Sequence, residues 1–130
     1  MTTSERLPRS RRLASRADRT RCLTQGHRYR SRSLEFRWLD NSAGHPRMGL
    51  IVPKFQSTAV ARNRLRRRLG EVWRREVMAR QGPRDLLIRA LREAYPRRFA
   101  ELRAEVLHFA EQVFGGGPPP SDRPAGGAAA

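Results

Sequence analysis

Apolar side chains recur at two periods along this chain. Leu34-Glu35-Phe36-Arg37-Trp38-Leu39 alternates apolar and polar, the pattern of a half-buried strand. Asn41-Ser42-Ala43-Gly44-His45-Pro46 is a cluster of turn residues. Met48-Gly49-Leu50-Ile51-Val52 then reads as a second strand, ended by Pro53. The short link predicts that the two pair as an antiparallel hairpin, with a further short strand around Tyr29 before them. Further on, the period changes. Leu65, Leu69, Val72 and Trp73 fall within about a third of a helix circumference. That helix is capped by Ser57 or Thr58, runs to about Arg80 and is stopped by Gly82-Pro83. Residues 85–90 read as a strand, with helix as the alternative because of Leu86 and Leu87. Phe99, Leu102, Val106, Phe109 and Val113 form one apolar stripe on a last helix, with Pro96 suited to its first turn. Residues 15–24 predict a first helix, with Ser15 and Asp18 at capping-box spacing and Gly26 at its end.

The order is helix, strands, helix, strand, helix, which predicts an α+β sandwich of helices on a sheet. Residues 1–12 read as a basic flexible arm and residues 13–114 as one domain. Residues 115–130 are mostly Gly, Pro and Ala with almost no large apolar side chain, and read as a disordered tail.

Charge adds a partner to this picture. The chain carries 28 basic and 12 acidic residues, a formal charge of +16, and Lys54 is the only lysine. Codon usage in a GC-rich genome is one reading of the Arg-to-Lys ratio and RNA binding the other, but codon usage does not account for the net charge. Arginine grips phosphate with a planar fork and stacks on bases, which suits RNA. No run of about 20 apolar residues offers a membrane span, and no apolar stretch follows the N-terminal arginines as in a secretory signal. Cys22 is alone, so no internal disulfide or cysteine zinc cluster forms. These features fit a cytoplasmic protein.

The charge is concentrated on the middle helix. Residues 61–70 hold five arginines and no acid. Like charges at this spacing destabilise an isolated helix, so the pattern asks for a polyanion. On the wheel Arg62 and Arg66 flank the buried stripe on one side, with Asn63 further round. Arg64, Arg68 and Arg75 flank the other side, and Arg67 and Arg74 point directly away. Glu71 and Glu76 offset nearby positive charge. Catalytic constellations are scarce: His27, His45 and His108 are far apart, and none has metal-ligand spacing to another ligand type. Phe36, Trp38 and Trp73 read as core. Arg37 alternates to the other sheet face and, with Arg19, lines a groove.

The run Ala61-Arg62-Asn63-Arg64-Leu65-Arg66-Arg67-Arg68-Leu69-Gly70-Glu71 strongly resembles the signature of the bacterial ribonuclease P protein subunit. Gly44-His45-Pro46-Arg47-Met48-Gly49-Leu50-Ile51-Val52-Pro53-Lys54 is similar to that family's preceding turn and strand. The resemblance covers about residues 6–114. It implies a four-stranded mixed sheet packed with helices and an unusual left-handed crossover through the arginine helix. It also implies a division of labour. The RNA subunit, which binds most of the Mg2+, cleaves the 5′ leader from precursor tRNA. The protein binds that RNA and the leader, and carries no catalytic residue or metal of its own. Arg62, Asn63, Arg64, Arg66, Arg67, Arg68 and Lys54 match the family's RNA-binding positions. The leader cleft, between the first helix and the sheet, takes in Arg19, Leu23 and Arg37. The chain departs from the pattern at Gly70, usually Arg. It departs again at Arg19 and Leu23, usually aromatic, at Phe55, usually basic, and at Ser57-Thr58, usually Gly-Asn. The rival readings from charge alone are a non-enzymatic RNA-binding protein, such as a ribosomal or assembly protein, a DNA-binding helix and a basic nuclease.

Overall fold

The computed structural model describes residues 9–55 and 57–115. The expected tail beyond Gly115 and the first eight residues of the expected arm lie outside them. Arg9–Arg11 form a 3-10 turn, and Arg12 bridges Met48, so residues 9–12 lie on the sheet edge. Helix α1 is Arg16–Gln25 and strands β1, β2 and β3 are His27–Arg30, Leu34–Asp40 and Arg47–Ile51. Helix α2 is Ala59–Val72, followed by a π-helical turn at Trp73–Val77 and the short α3, Met78–Gln81. Strand β4 is Arg84–Ala90, which closes the helical alternative for that segment, and α4 is Phe99–Val113.

The four strands form one mixed sheet in the order β1-β2-β4-β3. β1 and β2 are antiparallel, β2 and β4 are antiparallel, and β3 and β4 are parallel. The expected β2–β3 hairpin is therefore absent. β4, which follows some 30 residues later, inserts between them and pairs with both. Strand alternation then sorts the core. Leu34, Phe36, Met48, Leu86 and Ile88 pack on one face against Leu65, Leu69, Val72 and Trp73 of the middle helix and Leu102, Val106 and Phe109 of α4. Leu87 lies on the other face, with Cys22 of α1 and Leu13. Phe36 and Phe109 stack with ring centroids 4.0 Å apart. Phe36 and Trp73 are fully buried, as expected, whereas Trp38, also expected in the core, is half-buried against it.

Local chemistry sets the element ends. Ser15 Oγ accepts from the Asp18 amide at 3.3 Å, and Thr58 Oγ1 from the Ala61 amide at 3.0 Å. Gly82, at φ 71°, ends α3. Gly26 ends α1, as expected, with its amide donating to the Cys22 carbonyl at 3.0 Å. Its backbone is extended, but a Cβ there would lie 2.4 Å from the Cys22 carbonyl oxygen and 2.8 Å from that of Trp38. α4 begins three residues after Pro96, with the Arg98 amide donating to Glu101 Oε1 at 2.9 Å. Pro96 belongs to the preceding turn instead.

A candidate nucleic-acid interface

The arginines divide by whether the fold already neutralises them. Arg47 makes two bonds to buried Asp85, Nε to Oδ1 at 2.8 Å and Nη2 to Oδ2 at 2.9 Å, and reaches Asp18 at 3.2 Å. The Asp85 hydrogen bond raises the Arg47 pKa further above its ordinary value. Glu35, also buried, collects Arg28 at 2.6 Å, Arg37 at 3.6 Å and Arg89 at 3.9 Å. Glu105 takes Arg97 at 3.2 Å, and Glu76 takes Arg103 at 2.8 Å. These pairs hold helices and strands together.

Helix α2 is different. Arg62, Arg64, Arg66, Arg67 and Arg68 have no acidic partner among the described residues. Leu65, Leu69 and Val72 fix the helix to the sheet, and that burial dictates where the arginines project. Asn63, Arg64, Arg66 and Arg67 are exposed, while Arg62 and Arg68 are half-buried at the flanks. Lys54 is exposed just before the helix. Gly70 has open space around it: a Cβ added there would meet nothing within 4 Å. A longer side chain at this position, as in the family pattern, starts into that open space.

The wheel reading fails beyond Trp73. The π turn at Trp73–Val77 carries an extra residue per turn, which rotates everything after it. Arg74 does not point away either, for a separate reason: an ion pair at ordinary i,i+3 spacing with Glu71. Its Nη2 donates to both Glu71 oxygens, at 3.0 and 2.9 Å, and Glu71 also pairs with Arg75. Gln81, at the end of α3, is buried, and its Oε1 accepts from Trp73 Nε1 at 2.7 Å.

The expected groove residues are not all together. Arg37 Nη1 donates to the Leu23 carbonyl at 2.7 Å, so those two meet where α1 crosses β2. Arg19 lies beyond β4, donating to the Leu13 carbonyl at 2.9 Å and to that of Leu50, on β3, at 2.8 Å. It lines a hollow of about 240 Å³ with Arg12, Leu13, Met48, Gly49 and Leu50. Sequence reasoning misses Arg12 and Met48, because nothing in their spacing brings the N-terminal segment to that strand. The guanidinium groups of Arg19 and Arg37 thus clamp α1 to the sheet. Cys22 is buried beneath α1. Burial first, then the Asp85 carboxylate, pushes its thiol up to about 11. The histidines stay on separate elements: His45 Nε2 meets the Ser10 carbonyl at 2.7 Å, and His27 packs on Trp38.

A mixed sheet whose crossover helix carries unneutralised arginines defines a small α+β protein with a polyanion-facing surface. Residues 7–113 match the model of the Ribonuclease P family, and the chain belongs to that family. It is 32% identical over 114 residues to a ribonuclease P protein component of Xylella fastidiosa, covering 87% of this chain and 83% of that one. It is 38% identical over 85 residues to that of Thermus scotoductus, covering 65% of this chain and 49% of that one. The match thus spans about half the length of the Thermus relative. A mutant RNase P protein of Staphylococcus aureus has a TM-score of 0.73 at 22% identity, covering 80% of this chain and 87% of that one. The RNase P protein of Thermotoga maritima has 0.70 at 20%, covering 78% and 96%. The shared fold is the expected four-stranded mixed sheet with packed helices.

Proposed function

We propose that the chain is the protein subunit of a ribonuclease P ribonucleoprotein, an endoribonuclease that removes the 5′ leader of precursor tRNA. The observation that carries this reading is the arginine block of α2, which the buried Leu65, Leu69 and Val72 anchor and which the fold leaves without acidic partners among the described residues. In this reading Lys54, Arg62, Asn63, Arg64, Arg66, Arg67 and Arg68 bind the catalytic RNA subunit. The leader runs along the α1 side of the sheet past Arg19, Leu23 and Arg37. Catalysis belongs to the RNA, whose phosphates supply the oxygen ligands that Mg2+ prefers. Among the described residues no three His, Cys, Asp or Glu side chains gather as metal ligands. No helix among them is long and apolar enough to cross a membrane, and the reading places the particle in the cytoplasm.

The leader path has its own test. Arg19 holds the segment at Leu13 and strand β3 at Leu50, so Arg19→Ala loosens the groove wall as well as removing a charge. In the reconstituted complex it weakens precursor tRNA more than mature tRNA. Equal weakening of both would remove Arg19 from the leader path.

A further inference from the structure

Phe99 sits in the apolar stripe of α4 by spacing, yet it is one of two large apolar side chains left exposed among the described residues. The reason is its position. Leu102, Val106 and Phe109 lie over the sheet, whereas Phe99, the first residue of α4, overhangs α2. There it lines a hollow of about 270 Å³ with Arg67, Arg68, Glu71 and Arg75. Ligand pockets for drug-sized molecules start at roughly 300 Å³, so this hollow suits one flat ring system.

The walls have unequal charge states. Glu71 is occupied by Arg74 and Arg75, a contact that also holds Arg75 at the rim. Arg67 and Arg68 have no acidic partner among the described residues. The Arg103–Glu76 pair, at 2.8 Å, ties α4 to the turn after α2 and so fixes the distance between the walls. An aromatic face beside two unneutralised guanidinium groups matches the two halves of a nucleotide. Bases stack on aromatic rings, and phosphates take the forked donors of arginine.

We propose that this hollow between α2 and α4 takes one unpaired nucleotide of RNA, with its base on Phe99 and its phosphate on Arg67 and Arg68. The proposal rests on the RNA-binding reading above and adds to it a preference for unpaired over duplex RNA. Base stacking requires an open π face, which a paired and stacked base does not offer.

The test compares the full chain with Phe99→Leu, which keeps an apolar side chain and the net charge but removes the ring. The probes are an unstructured single-stranded RNA oligonucleotide and a blunt RNA duplex of equal length. Stacking predicts that Phe99→Leu weakens the single strand by roughly 5- to 100-fold, leaves the duplex unchanged and leaves the salt dependence of both unchanged. Phe99→Trp retains single-strand affinity. Unchanged single-strand affinity in Phe99→Leu, or an equal loss on both probes, overturns the nucleotide site while leaving the α2 reading standing. Failure of the unmodified chain to bind either RNA overturns both.

Discussion

Removing three arginines without acidic partners from α2 separates binding from folding. Arg64, Arg66 and Arg67 are exposed and make no ion pair among the described residues. Replacing all three by glutamine preserves helix propensity. If each neutralises one phosphate, the slope of log K against log salt becomes less steep by about 2 to 3. At 0.15 M salt that corresponds to an affinity for the RNA subunit lower by roughly 50- to 300-fold, with the two titrations converging near 1 M. Stability moves the other way. The substitutions remove like-charge neighbours at Arg62/Arg66, Arg64/Arg67 and Arg64/Arg68, each unfavourable by about 0.2–0.5 kcal/mol on a helix surface. The variant therefore melts at or slightly above the parent temperature. The control is Arg84, Arg89 and Arg103→Gln, which removes the same charge from arginines that already have acidic partners. Filter binding at several salt concentrations reads the slopes. Equal slope changes in the two triple variants would refute the argument, because net charge rather than its placement would then govern binding.

Two further outcomes test the fold around the interface. Gln81 is fully buried, accepting from Trp73 Nε1 and donating to the carbonyls of Arg47 at 3.0 Å and Arg84 at 2.7 Å. Gln81→Leu strands these groups and costs about 2–4 kcal/mol in urea unfolding, and a loss below about 0.5 kcal/mol would show that the π turn is not held this way. The Cys22 thiol, pushed up to about 11 from 9.0, keeps its proton in the fold where the unfolded chain releases it. Its contribution is complete below pH 9 and is lost as pH rises through 11, a decline of about 2–3 kcal/mol. Cys22→Ala lacks that decline, and parallel pH profiles for the two proteins would contradict it.

The α2 arginines are legible because a helix places sequence neighbours at known angles, and one apolar stripe fixes the rest. That logic gives directions from a bare helix and takes no account of ion pairing, so it misplaces Arg74, which turns back onto Glu71 one helical turn earlier. The strands are legible one by one, from alternation in β2 and the apolar runs of β3 and β4. Their order is not, because pairing depends on β4, whose partners are remote in sequence. Phe99 shows the same limit: its spacing puts it on the stripe, but only the packing of α4 shows that it lies beside Arg67 and Glu71 of α2, outside the core. Arg19 and Arg37 both lie on the α1 side of the sheet, as their spacing suggests. What sequence conceals is that both donate to backbone carbonyls.

The central claim is that this chain works as the protein half of an RNA enzyme. Precursor tRNA cleavage at low magnesium, with the cognate catalytic RNA, with and without the protein, tests it most directly, with the protein alone as control. The account predicts cleavage at the mature 5′ end only when RNA and protein are both present. Tight RNA binding without any stimulation of cleavage would contradict it and leave a general RNA-binding protein on the same fold.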